Sequence, residues 1–254
     1  MNPLSWIGRR VAFAAPSNAA LAEALATATL LVAYNTATNI EPDNDRGYIS
    51  RNVIAGALLI AVARGRGFTW DELGLGPTGS RSGWRWGSAI ASVVGSAVTL
   101  SAVLGRRRSF VRRMLSDRRA DLDDRQLAWQ TLVRIPIGTA AFEEVAFRGV
   151  VHAMFARRGG WPAALVGSSV AFGLWHVGPT LAALHHNDVA GHPAGPVAGA
   201  VVATTVAGLA FGALRHVSGH VLPCWLAHWT SNAVGLLAAA RWQRLVRAGG
   251  AAAL

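Results

Sequence analysis

No lysine occurs in the 254 residues, so all 24 basic side chains are arginines, and acidic residues number only 13. Charged residues make up 15% of the chain and hydrophobic ones 52%, at a mean hydropathy of +0.33. That is too little polar side chain to coat a soluble globule of this length, which leaves a polytopic membrane protein. The single cysteine, Cys224, excludes an internal disulfide and reads as a small apolar filler in the last span. The formal charge of +11 is spread over loops and tails, and no binding module or aromatic-interleaved basic surface accompanies it, so a nucleic-acid partner is excluded. Arginine-rich loops beside spans are the ordinary positive-inside signature.

Apolar runs fall near 18–36, 52–63, 87–104, 127–156, 161–177, 196–214 and 219–240. Most approach the roughly 20 residues that a spanning helix needs, so the expectation is an all-α transmembrane bundle of about 6–7 spans. The second run is short and reads equally as a half-span or a re-entrant piece. Arg9 and Arg10 precede the first run, which lacks a small-residue exit site and is expected to be a retained span. The predicted organisation is N-terminal transmembrane helices over 1–105, an arginine-rich cytoplasmic segment over 106–125, a core over 126–240 and a basic, then Ala/Gly-rich, tail over 241–254.

Between Arg106 and Arg125 stand eight arginines and four aspartates, which predicts a cytoplasmic surface helix. Arg241, Arg244 and Arg247 place the C-terminal end on the same side, with four spans in between. Three further spans before Arg106 would put Arg9 and Arg10 outside, so either one run is non-spanning or the N-terminal end breaks the rule. Gly74, Gly76 and Gly79 match a GxGxxG string, but without a strand-helix-strand context they read as an interhelical turn. Trp70, Trp84 and Trp86 suit the headgroup region.

Ionisable side chains at bilayer depth mark functional sites, because each is costly there unless it faces a partner or a wet cavity. The run from Gln126 to Arg157 reads AFEEVAFRG midway. Residues four apart share a helix face, so Glu144 lies over Arg148 as an ion pair, while Glu143 diverges by about 100° and has no partner on its own helix. A desolvated carboxylate beside an acidic neighbour is a natural general base. VAFGLWHVG places Phe172 and His176 on one face, and LAHWTSNAVG places His228 and Asn232 on another in mid-span. His152, one turn beyond Arg148, reads as a supporting partner of the Glu144 face. His185, His186, Asp188 and His192 read as a solvated loop, and His216 with His220 as an interhelical connection.

EEVAFR, FGLWH and HWTSN together resemble the three motifs of the CAAX protease and bacteriocin-processing (CPBP) family of intramembrane endopeptidases, which includes type II CAAX prenyl endopeptidase. The family pattern, EExxxR, FxxxH and HxxxN in that order, is filled by Glu143, Glu144, Arg148, Phe172, His176, His228 and Asn232. WDELGL at 70–75 is similar to a phrase found upstream in these proteins. The resemblance implies hydrolysis of a peptide bond in a membrane-associated protein or peptide. Glu143 and His176 would activate water, His228 and Asn232 would hold the oxyanion, and Glu144, Arg148 and Phe172 would support them. It also implies a membrane protein or peptide as partner, and the zero-lysine, alanine-rich composition suggests a GC-rich bacterial genome and hence a bacterial cell-membrane location. A zinc ion, if held, would take Glu143, His176 and His228. The absence of an HExxH helix and the poor ligand quality of Asn232 favour a water-activating glutamate without a tightly bound metal. Neither a GxSG serine motif nor a GxGD aspartyl motif occurs. The alternative is a non-catalytic membrane protein, a proton or ion path or an immunity-type partner, built on the same polar cluster.

Overall fold

The computed structural model describes residues 18–38 and 45–249, and among these it contains helices and turns but no strand. Arg9 and Arg10, and the Ala/Gly tail from 250 onward, lie outside the described residues. Alanine- and leucine-rich sequence forms α1 (Asn18–Thr38), and α2 is Asp45–Gly65. The short apolar run at 52–63 is therefore the centre of a 21-residue helix of about 30 Å, long enough to span. Its flanking arginines had hidden that length from hydropathy. Helices α3 (Ser80–Gly105) and α4 (Ser109–Leu115) follow.

Asp123 opens α5 with a reciprocal cap: its side chain accepts from Gln126 N at 2.8 Å, and its own N–H donates to Gln126 Oε1 at 3.0 Å. Helix α5 covers 124–158 and winds as π-helix over Gln130–Ala141 and Val145–Val151. Pro136, inside the first stretch, has no N–H to give, which loosens the ladder there. Two indoles of the last helix bond to carbonyls of this stretch: Trp225 donates to Pro136 at 2.8 Å and Trp229 to Thr131 at 2.7 Å. The helix breaks at Gly159 and Gly160, the latter at φ 69° and ψ −164°, a conformation only glycine adopts readily, and Pro162 starts α6 (161–175). Helices α7 (Val177–His186), α8 (Ala194–Ser218) and α9 (Leu222–Arg247) complete the chain.

Among the described residues three helical segments are long and apolar enough to cross a membrane: Ala20–Thr38, Pro77–Gly105 and Ala194–Ser218. Helix α5 carries the buried charges of the centre, Glu143, Glu144 and Arg148, which depress its hydropathy. Pairings fix the directions. At one end of the bundle Arg244 pairs with Asp124 and Arg247 with Asp121, both at 2.7 Å, while Asn187 donates to Asp117 at 3.1 Å and Arg118 pairs with Asp188. Helices α5, α6, α8 and α9 thus make four passes between the arginine-rich segment and the C-terminal arginines. At the opposite end Glu23 of α1 pairs with Arg66, just beyond α2. The start of α1 therefore lies away from the arginine-rich end.

The connector after α2 straps that opposite end together. Leu73 is fully buried against the core of Phe147, Val151 and Phe172. Arg157 holds both Glu72 oxygens at 3.0 Å, and Arg215 donates to the carbonyls of Glu72 at 3.0 Å and Asp71 at 3.3 Å. Gly74 turns at φ +66° directly against the Arg215 guanidinium, where a Cβ would collide. The GxGxxG string is thus a packed turn. Burial acts to raise the Glu72 carboxyl, but hydrogen bonds from Arg157 and Thr69 outweigh it and hold it below the ordinary glutamate range.

Candidate active site

The centre of the bundle is built on α5, where Glu143, Glu144 and Arg148 are 6%, 1% and 1% exposed. Arg148 Nη1 lies 3.3 Å from Glu144 Oε1, the pairing expected from their spacing. The guanidinium also sits over two aromatic faces, 3.9 Å from the Phe172 centroid and 5.1 Å from that of Phe211 on α8. Phe172 is thereby a cation-binding wall as well as packing.

From α9, His228 enters at 6% exposure, with Nδ1 2.8 Å from Glu144 Oε1 and Nε2 3.8 Å from Glu143 Oε2. The first separation is a hydrogen bond; the second is electrostatic contact only. Glu144 therefore serves two partners, a role the sequence spacing with Arg148 did not disclose. His176 closes α6, its Nδ1 2.8 Å from the Phe172 carbonyl and its ring edge-on to Phe172 at 4.7 Å. A protonated Nδ1 donating there leaves Nε2 as the ring's basic atom. Trp175 anchors this turn among Phe142, Phe147 and Tyr34. Asn232 stands one helical turn beyond His228 on α9, half-buried, and its side chain makes no hydrogen bond.

Glu143 Oε2, Glu144 Oε2 and Arg148 Nη2 are buried without a hydrogen-bond partner. Such atoms are costly in an apolar interior, and their convergence leaves strong acceptors and a donor available at one place. Among the described residues no three His, Cys, Asp or Glu side chains are arranged to hold a metal ion. His176 and His228 commit Nδ1 to the Phe172 carbonyl and to Glu144, and Nε2 of each ring stands outside those bonds.

Other histidines lie apart from this centre. His152 is buried but has no bond to Glu144, and its Nδ1 is unpartnered, so it is not the expected support of that face. His216 stacks on Trp161 at 4.9 Å, His220 accepts from Leu222 N at 3.0 Å, and His192 accepts from Ala194 N at 3.2 Å. The residue missed at the sequence level is Arg215, 7% exposed, which reaches the Arg148 carbonyl at 3.3 Å and ties the connector to the site helix. An arginine closing an apolar span was the available signal.

Residues 125–234, which carry all three motifs, match the model of the family described as type II CAAX prenyl endopeptidase Rce1-like. No curated protein and no solved structure matches the chain.

Proposed function

We propose that the chain is a membrane protease of the CAAX type, a reading supported by the match of residues 125–234 to the Rce1-like model, and that it cleaves its substrate with a water activated by Glu143 and His176. The observation that carries this reading is the pair of buried glutamates with divided partners. Glu144 is engaged through Oε1 by Arg148 and His228, its Oε2 alone left without a partner, whereas Glu143 makes no hydrogen bond through either oxygen. A base must be free to take a proton, and Glu143 is the carboxylate that is free.

Water held by Glu143 and the basic nitrogen of His176 attacks the scissile carbonyl, its proton passing to the carboxylate. The tetrahedral oxygen is met by donors from α9, the Asn232 amide and His228 Nε2. Since His228 gives its Nδ1 proton to Glu144, donation from Nε2 requires a doubly protonated ring, and the two flanking carboxylates supply the counter-charge for it. Glu143 then returns its proton to the leaving amine, so proton and charge balance over the cycle. Substrates are membrane proteins or peptides, and the zero-lysine, alanine-rich composition, which points to a GC-rich bacterial genome, makes a prenylated one the less favoured choice.

The test is direct. Purified chain in proteoliposomes, given a detergent-solubilised membrane-protein fraction, should release new peptide termini that mass spectrometry identifies. Folded protein that releases none in several such fractions contradicts the assignment.

A further inference from the structure

Helix α9 has two faces at the arginine-rich end, and only one of them is covered. On the inner face Ala239 and Ala240 pack against Ala120, Trp242 is buried, and Gln243 donates to the Asp117 carbonyl. On the outer face Leu237, Arg241 and Leu245 follow one another a helical turn apart, and all three are exposed. With Arg244 and with Leu127 of α5 they line an open notch of about 370 Å³ between the end of α9 and the start of α5. The reaction proposed above uses none of these residues.

The positive charge in the notch is not balanced by the protein. Each aspartate of the arginine-rich segment is already engaged: Asp117 with Arg119 and Asn187, Asp121 with Arg247, Asp123 with the Gln126 N–H, and Asp124 with Arg244. Arg244 uses only Nη2 in its two contacts, with Asp124 at 2.7 Å and with the Leu122 carbonyl at 3.3 Å. Arg241 makes no hydrogen bond and no ion pair with any described residue.

A cation standing one turn, about 6 Å, outward of an exposed leucine matches the layering of a phospholipid, whose phosphate lies outside its acyl chains. A soluble anion would meet the arginines but leave Leu237 bare, and a second copy of the chain would bring its own arginines to the same place. We propose that the notch holds one anionic phospholipid, its phosphate on Arg241 and the uncommitted edge of Arg244, and an acyl chain along Leu237 and Leu127. Basic pockets between spanning helices suit such headgroups, because the phosphate gains charge-assisted hydrogen bonds while its chains stay in the bilayer. Bound there, the lipid ties α9, which carries His228 and Asn232, to the start of α5. The site stands whether or not the chain cleaves peptides.

The experiment uses the full chain in neutral detergent. Native mass spectrometry counts the lipids retained as phosphatidylglycerol or phosphatidylcholine with identical acyl chains is added in graded amounts. One phosphatidylglycerol should be retained, about five- to twenty-five-fold more tightly than phosphatidylcholine, the range for one or two arginines at a membrane surface. Arg241→Gln should lower that preference about fivefold and Arg241→Lys should restore most of it, both at the parental melting temperature in phosphatidylcholine nanodiscs. Changing Arg106 and Arg107 to Gln, two exposed arginines of the same end that do not line the notch, should leave it unaltered. Glycerol phosphate in millimolar excess should not displace the lipid. Equal affinity for the two lipids overturns the proposal. An equal loss in the Arg106 and Arg107 variant also overturns it, by reducing the effect to the general field of that surface, and so does displacement by glycerol phosphate, which would make the notch a site for soluble anions.

Discussion

His228 Nδ1 and Arg148 Nη1 converge on one atom, Glu144 Oε1, at 2.8 and 3.3 Å. One carboxylate oxygen therefore holds an imidazole from α9 and a guanidinium from α5 in fixed relation. In the proposed reaction this divides labour between adjacent glutamates, Glu144 orienting its partners and Glu143 exchanging protons.

Replacing Glu144 with Gln should thus harm two properties at once. The amide keeps the shape but removes the charge that holds His228 and balances Arg148. Turnover should fall on the order of 10²-fold or more, as when a carboxylate that orients an imidazole is neutralised. Stability should fall by about 3–5 kcal/mol, the usual consequence of leaving a buried charge unpaired. Near-parental turnover and melting of Glu144→Gln would contradict the shared-oxygen role.

Arg148 offers a graded version of the same test. Arg148→Lys keeps the charge but loses the planar group that lies 3.9 Å from the Phe172 ring, so it should melt between the parent and Arg148→Ala. If the lysine variant melts with the alanine variant, ion pairing contributes nothing separable from guanidinium stacking.

Asn232 separates an oxyanion site from an ion path. Removing one preorganised donor should lower kcat by about 10²- to 10³-fold, so that is the expected result for Asn232→Ala, with little change in stability because the side chain makes no hydrogen bond. A proton path needs titratable groups and tolerates this change. Full turnover by Asn232→Ala would remove the oxyanion assignment.

The connector predicts a pH effect away from the site. The Glu72 carboxyl is held below its ordinary range in the folded protein, so its contribution to stability is present above the unfolded value of about 4.3 and is lost as pH falls through the lower folded value. Melting of the parent should drop over that acid window, and Glu72→Gln should melt lower at neutral pH with a flatter acid dependence. Parallel profiles would show that the Arg157 pairing is energetically silent.

The bundle was legible because hydrophobic runs report spans, and the motif faces were legible because helix spacing alone puts Glu144 over Arg148. The full length of α2 was not, since Arg46, Arg51 and Arg64 at its ends lower the hydropathy that marks a span. The π winding of α5 was foreshadowed only by Pro136. The bond between Glu144 and His228 joins residues 84 positions apart and depends on how α9 docks through Trp225 and Trp229, which no spacing rule reports. The same holds for Arg215, whose significance is tertiary.

The measurement that bears most directly on the central claim is N-terminal proteomics of membranes from cells carrying the parent chain or Glu143→Gln at matched, folded levels. The account predicts neo-N-termini in membrane proteins or peptides that appear with the parent and vanish with Glu143→Gln. The same set of termini in both strains would contradict a proteolytic role for Glu143.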